Sequence, residues 1–411
     1  MRARVSFPLA SGVLLLSALT QKWYLSLFAA PLLLPLLAGL ASREGIADAL
    51  RVKRVLPSRR VHLGHELPVT LVVENVSSRT VLAEVEDRVP QSLPVSAGSP
   101  RQLVVLRPGE VKQLSYRVYA ARRGRFDFGP LTVRAWDEFL TLPASRDVPE
   151  AESVVVLPPV QRLLWLPLRQ SVTLPGFGDF PSKRGGEGFE FIELSEARSS
   201  SLRRVNWKAT AKFEKLMVNL YAEERSASVL VVLEVPGRRL LGALTENLLE
   251  DLVAAAASIT AYLHKRGHRV SLLVVGWYRD WVQPGFGKGH FLRLLSSLAS
   301  VRVLPHRQVA DPRDIVAKVV PFLSPTGSLV ILVSPFVERQ GAAVAGELER
   351  LGFRTIYVAV NPFSSLRDEE VAERLTEVWV KGVLRRLAGR SIWLWTGARG
   401  RRGIAVVRQI A

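Results

Sequence analysis

Cysteine is absent from all 411 residues, which removes disulfides, thiolate metal sites and cysteine nucleophiles together. The same absence leaves the compartment open on redox grounds. Methionine is scarce, with 2 residues, and beside abundant Arg and Glu this suits a protein from a hot habitat. Acid is in deficit: 37 Asp and Glu face 56 Lys and Arg, and the balance of +19 favours anionic lipid, nucleic acid or an acidic protein surface as a neighbour. Histidines number 6 and make no metal-ligand pattern. His62 and His65 alone are weak evidence for metal, and His264 and His268 straddle the helix stop Gly267 with no acid to join them. What remains is a chain with room for two or three domains, each with its own core.

Two apolar runs open it. VSFPLASGVLLLSALT (Val5–Thr20) and WYLSLFAAPLLLPLLAGLAS (Trp23–Ser42) flank the polar pair Gln21-Lys22. Each is close to the roughly 20 apolar residues that cross a bilayer, so residues 1–45 read as a transmembrane helical hairpin. Pro31 and Pro35 are tolerated in lipid where neighbouring groups re-satisfy the backbone. Trp23 and Tyr24 stand where an interfacial aromatic belt would place them. Arg2 and Arg4 precede the pair, and Arg43, Arg51, Lys53, Arg54, Arg59 and Arg60 follow it. With Lys22 alone in the turn, the positive-inside rule puts both ends and the soluble domains in the cytoplasm of a two-helix membrane protein. The competing reading, a cleaved signal or a single exporting span, leaves the second run unexplained and finds no small-x-small site after Thr20.

Residues 46–160 change to a period of two. PVTLVVENV places Val69, Leu71 and Val73 on one face, KQLSYRVYA does so with Leu114, Tyr116, Val118 and Ala120, and LTVRAW with Leu131, Val133 and Ala135. Turn clusters such as Asn75-Val-Ser-Ser78 and Arg107-Pro-Gly109 separate them. An antiparallel β-sandwich of immunoglobulin-like type is expected, serving as spacer or binding surface.

A charged block, residues 161–226, leads into the last domain. Within it, RGGEGFEFIELSEARSSSLRRVNWKATAKFEKLMVNLYAEE (Arg184–Glu224) resembles the domain-of-unknown-function 58 family of bacteria and archaea. Gly186, Gly188, Glu190 and Phe191 match that family's Gly-x-Gly-x-Glu-Phe element. Glu196, Arg203, Asn206, Trp207, Lys208, Ala209 and Ala211 match its later series, and RRGRFDFGPLTVRAWDEF (Arg122–Phe139) looks like its Arg-Arg-Gly strand pair. Ser195, Ala197 and Ser199–Ser201 depart from the pattern, where Arg, Tyr and a Gly-Asp turn are usual. Physically, Glu190, Glu193, Glu196, Arg203, Arg204 and Lys208 suit a charge network, with Trp207 as its apolar core anchor.

Residues 227–411 alternate continuously apolar strands with helices: VLVVL (Val229–Leu233), the helix Leu248–Gly267, RVSLLVVG, a helix from Phe291 to Ser300, SLVILVS (Ser328–Ser334), helix Gln340–Leu351, TIYVAV and helix Asp368–Leu387. Such a pattern means a parallel sheet covered on both faces, with ligands beyond the carboxyl ends of its strands. PGFGKGH (Pro284–His290) misses the spacing of a phosphate loop and reads as an ordinary loop.

The family resemblance implies an α/β von Willebrand factor A-like (Rossmann-type) domain. That fold's first strand ends in Asp-x-Ser-x-Ser around Mg²⁺, whose hard oxygen ligands are missing here. Glu234, Pro236 and Arg238 occupy those positions, Ser334-Pro335 replaces the later acid, and Arg238 and Arg239 would repel a divalent cation. A degenerate metal site, no cofactor and no catalytic residue are therefore expected. The crevice of Glu234, Pro236, Arg238, Arg239 and Ser334 is expected to serve as a metal-independent partner face.

From Lys381 the tail carries no acid. Arg385, Arg386, Arg390, Arg399, Arg401 and Arg402, with Trp393 and Trp395 between them, suit docking on anionic lipid or an acidic partner; a membrane anchor argues against nucleic acid. The alternative is a last strand pair with solvated arginines. The resemblance implies a membrane-anchored, non-enzymatic adaptor for a MoxR-type AAA+ ATPase. The alternatives are an exported or envelope-associated protein, or an envelope hydrolase using carboxylates of the 184–224 block such as Glu190 and Glu196.

Overall fold

Strands that bury every second side chain build the first part of the protein. The computed structural model describes residues 2–31, 33–34, 45–136, 143–166, 174–196, 205–226, 228–237, 241–304, 311–323, 327–366, 368–396 and 404–409, with the backbone alone for 2–6, 174–196, 219–226, 396 and 404–408. It divides into two compact units, Met1–Leu157 and Pro158–Ala411.

The first unit opens with α1 (Arg2–Thr20) and a 3-10 helix (Trp23–Ala29). Between them the chain turns at Gln21, which has φ 57, and Ser17 Oγ donates to the Lys22 carbonyl at 3.1 Å. Leu15, Leu19, Trp23 and Phe28 are exposed. The second apolar run thus begins as the tighter 3-10 form. No helix among the described residues is long and apolar enough to cross a membrane; positions 32 and 35–42 of that run lie outside them.

Eleven strands follow: β1 (Leu50–Val55), β2 (Arg60–His62), β3 (Glu66–Asn75), β4 (Val81–Asp87), β5 (Val95–Ala97), β6 (Arg101–Leu106), β7 (Val111–Tyr119), β8 (Gly124–Asp127), β9 (Leu131–Trp136), β10 (Ala144–Val148) and β11 (Ser153–Leu157). Two antiparallel four-stranded sheets, β1-β3-β7-β5 and β10-β9-β4-β6, share one core, and a small sheet β2-β11-β8 adds a parallel β2/β11 pair. Val69, Leu71 and Val73 meet Val81, Ala83, Val85, Val133 and Ala135 in that core, as the period of two requires. Asn75 clamps the β3–β4 turn: its Nδ2 donates to the carbonyls of Arg79, Leu106 and Arg107, and its Oδ1 accepts from Ser77 N.

Arg54 departs from expectation. Counted by sequence among the basic residues flanking the apolar runs, it is a fully buried core residue. Its Nε and Nη2 donate to both oxygens of buried Asp87, at 2.9 and 2.5 Å. Its remaining hydrogens reach the carbonyls of Glu150 (2.9 Å) and Gly129 (2.8 Å), and the guanidinium lies 4.9 Å from the centroid of Phe128. Tyr116 Oη donates to Asp87 Oδ2 at 2.6 Å. Burial first, then the Asp87 charge, push that phenol above its ordinary range.

The second unit holds β12 (Arg162–Leu163), a ribbon of β13 (Leu174–Glu196) and β14 (Met217–Ser226) with α2 (Trp207–Phe213) between them, then an α/β domain. The latter comprises β15 (Ser228–Val235), α3 (Leu244–Lys265), β16 (Arg269–Gly276), β17 (Asp280–Gly285), α4 (Lys288–Ser300), α5 (Pro312–Val319), β18 (Ser328–Ser334), α6 (Gln340–Arg350), β19 (Arg354–Val360), α7 (Glu369–Arg386), β20 (Ile392–Thr396) and β21 (Ile404–Gln409). The eight-stranded sheet runs β12-β21-β20-β19-β18-β15-β16-β17. Every residue of β15 is buried, between parallel neighbours β16 and β18. Leu230 and Val232 share a core with Val344, Ala345 and Leu348 of α6, while α3 packs across β15, β16, β18 and β19.

The sheet is mixed, which corrects the all-parallel expectation. β17 runs antiparallel to β16, and β21 to β20. A parallel return needs a crossover of about a dozen residues or more. Trp277–Arg279 and positions 397–403 are too short for one. Pro284–His290, expected as a loop, is divided between the end of β17 and the start of α4.

Candidate functional site

From β15 the chain passes to β16 on one side and later to β18 on the other, so the crevice beyond their carboxyl ends is the switch point where such sheets hold ligands. Register pairs Leu233 with Val333, which brings the next residues, Glu234 and Ser334, side by side. Both are wholly buried. Glu234 Oε2 accepts from Ser334 Oγ at 2.5 Å, and Oε1 from Gly341 N at 2.6 Å in the first turn of α6. The helix dipole favours a carboxylate there. Ser334 Oγ in turn accepts from Phe336 N at 2.8 Å. Phe336 is held at φ 53, a left-handed conformation an aromatic residue adopts rarely. Position 341 favours glycine, since a Cβ there would lie 2.8 Å from Glu234 Cδ and force that side chain to shift.

A second acid joins this structure from the β18–α6 loop. Glu338 Oε1 accepts from Gly237 N (2.8 Å) and Trp277 Nε1 (3.1 Å), tying the exits of β15 and β16 together. Trp379 Nε1 donates to the Pro335 carbonyl and Arg386 Nη1 to that of Phe336, both at 2.7 Å. Both oxygens of Glu234 and one of Glu338 are thus met by donors within the domain. Chemically, Glu234 is a lock between strand end and helix start, shielded from any solute.

This alters the expected partner face. Glu234, Pro236 and Ser334 are interior, because the carboxylate has found its donors inside the domain; Arg238 and Arg239 lie outside the described residues. An open surface exists nearby. The loop after β19 and the length of α7 form a groove of about 1040 Å³. Phe363, Val380 and Leu384 supply apolar surface, and Glu369, Glu373 and Glu377 supply acid against the single lysine Lys381. Its loop is fixed by Asn361 Nδ2 donating to Thr376 Oγ1 (2.9 Å) and Ser364 Oγ donating to Asp251 Oδ2 (2.8 Å).

The family-motif residues fall on the ribbon. Gly186, Gly188, Glu190, Phe191, Glu193 and Glu196 lie on β13, whose backbone pairs with β14 through several register shifts; their side chains are outside the description, as are Arg203 and Arg204 altogether. Asn206 caps α2, its Oδ1 accepting from Ala209 N at 3.0 Å, and its N donates to the Met217 carbonyl at 2.8 Å. Thr210 Oγ1 accepts from Met217 N at 3.0 Å. The motif therefore folds a helical turn back onto β14. Trp207, expected as a core anchor, is 64% exposed, because α2 buries none of its residues. Lys208 is exposed too.

In the tail, Trp393 and Trp395 are buried in the sheet as part of a last strand pair, and do not serve as docking side chains. Arg390 is engaged by Glu349 at 2.9 Å, Arg386 holds the Phe336 carbonyl, and Arg385 is exposed. Arg399, Arg401 and Arg402 lie outside the described residues.

His264 stacks on Phe291 with ring centroids 4.6 Å apart. Burial, and then neighbouring His290, hold its imidazole below the ordinary 6.5. The unfolded chain then takes up the proton first. The stabilisation is complete above about pH 6.5 and is lost as pH falls through the lower folded value. Thermal melts over that range should show Tm falling with acid, and His264→Gln should flatten the dependence; an unchanged slope in the variant would refute the assignment.

Sequence reading missed Gly341, Glu338, Phe336 and the groove. Glu234 and Gly341 are separated by 107 positions, and no local spacing announces such a contact. The one available signal was the strand end Ser-Pro-Phe-x-Glu followed closely by a helix-opening glycine.

A family model described as "Protein of unknown function DUF58" matches residues 199–373. No curated protein matches the chain. Solved structures similar to part of it include a FixG-related protein from Vibrio parahaemolyticus (14% identity, 26% of this chain and 97% of that one, TM-score 0.20). Others are a PapD-like domain of human CEP192 (9%, 27% and 87%, 0.20) and the cupredoxin domain of amoB from Nitrosocaldus yellowstonii (10%, 28% and 90%, 0.20). At such scores these likenesses carry no argument.

Proposed function

We propose, from the premise that this chain belongs to the DUF58 family through residues 199–373, that it is a membrane-anchored, non-enzymatic adaptor for a MoxR-type AAA+ ATPase. The apolar runs of residues 1–45 are its anchor, and the soluble units face the cytoplasm. In this reading the sandwich is an immunoglobulin-like spacer and the α/β domain is von Willebrand factor A-like; the switch point at β15, flanked by parallel β16 and β18, supports the latter. Its metal site is degenerate. Glu234 stands where a cation ligand would, but its oxygens accept from Ser334 and Gly341, and Pro236 offers no hydroxyl. The described donor set does not fit Mg²⁺.

The observation that carries the reading is this inward-turned crevice beside an open groove. A buried, internally satisfied carboxylate is suited to holding shape, whereas the α7 groove, apolar with an acidic edge, is suited to receiving a basic segment of a partner. Affinity capture of the full chain, solubilised from its membrane, with and without a non-hydrolysable ATP analogue, should enrich an AAA+ ATPase. Glu373→Lys with Glu377→Lys should reduce that enrichment roughly tenfold. Glu377 contributes only an exposed 4.0 Å pair with Lys381, so the fold should tolerate its reversal. Capture without any ATPase would reject the adaptor.

A further inference from the structure

The helix that interrupts the ribbon presents apolar side chains to solvent. Trp207 (64% exposed), Phe213 (55%) and Leu216 (42%) occupy α2 and the turn after it. Lys208, Lys212 and Lys215 stand among them, all exposed, against the single acid Glu214. The helix buries none of its own residues. Nor is the shape accidental to the backbone: Asn206 and Thr210 pin the segment to Met217, and Glu214 turns the chain sharply at φ 53. The result is a fixed protrusion, with Lys212 Nζ 5.7 Å from the centroid of Phe213.

We infer that this protrusion is a membrane-contact element that inserts Trp207, Phe213 and Leu216 into the interface of an anionic bilayer, with Lys208, Lys212 and Lys215 on the headgroups. Three exposed apolar side chains on a raised turn need a yielding medium or a matching concavity, and lipid supplies the former without a shaped partner. Tryptophan suits the headgroup level, lysine stems extend along apolar surface while their ammonium groups reach phosphate, and basic residues near an anionic leaflet are drawn to its negative surface potential. The chain's +19 balance favours the same surface. This inference rests on the membrane-anchored reading but is independent of the ATPase.

Because the chain has no cysteine, a single introduced thiol reports one position. Full-length Ala211→Cys, at an exposed position of α2, and Leu16→Cys, on α1, would each carry an environment-sensitive fluorophore in lipid nanodiscs containing brominated acyl chains. The expected result is quenching of the 211 label by roughly twofold or more in anionic discs, relieved by molar salt and absent in zwitterionic discs. Lys208→Glu, Lys212→Glu and Lys215→Glu together should abolish it without touching the core. Quenching of the Leu16 label but not the 211 label in anionic discs would overturn the inference while leaving the anchor intact. Quenching of neither would remove the anchor and the inference together. Equal quenching of the 211 label in both disc types would overturn recognition by charge.

Discussion

Asp87→Ala is expected to destabilise the sandwich unit by about 3–5 kcal/mol, because it leaves the Arg54 guanidinium buried without its counter-charge. The loss is not that of a surface pair, since both side chains are 0% exposed and joined by two hydrogen bonds. Tyr116 Oη loses its acceptor in the same stroke. Hydrogen exchange of the full chain through a denaturant series, followed in peptides from β1, β4 and β7, would measure it. A change below about 1 kcal/mol would mean that the pair does not form as described. Replacing both charges, with Arg54→Met and Asp87→Leu, is expected to be milder than either single change, as no charge stays behind.

The crevice should respond nearly as strongly. Glu234→Ala takes the acceptor from the Ser334 hydroxyl and the Gly341 amide, two buried donors whose desolvation costs about 1–3 kcal/mol each. Gly341→Ala approaches the same lock from the other side. Its methyl would press on the Glu234 carboxylate, a crowding worth about 1–3 kcal/mol. Both variants should speed amide exchange in the first turn of α6 before they affect the sandwich. If Glu234→Ala left α6 exchange unchanged, the carboxylate would not be its tether.

These two networks mark where the sequence was readable and where it was not. The burial of Val69, Leu71 and Val73 followed from alternation, and that of Val229–Leu233 from an unbroken apolar run, because periodicity is a local signal. Arg54 defeated the same logic: within a strand its charge resembles any surface arginine, and its partner is 33 residues away. Glu234 stood out as an acid at the end of an apolar strand, but its direction did not, since Ser334 and Gly341 approach through the sheet register and not through the sequence. Trp207 failed for a different reason. Tryptophan is usually buried by a neighbouring element, whereas α2, set between the strands of a two-stranded ribbon, buries none of its own residues.

The short strand β12 pairs with β21, so that Arg162 lies beside Ile404 and Leu163 beside Ala405. That edge therefore cannot form until the ribosome has delivered nearly the whole second unit. At about 5–20 residues per second the wait is on the order of tens of seconds. The inner strands β15, β16, β18 and β19 have all emerged well before then. The nascent domain consequently passes through a period in which β12 is without its partner strand and the outer backbone first of β19 and then, briefly, of β20 is uncovered, an open template for strand addition by another chain. Closing of this seam by β21 and β12 is the step at which crowding of unfinished chains would be most damaging, and where a co-translational chaperone would have most to protect.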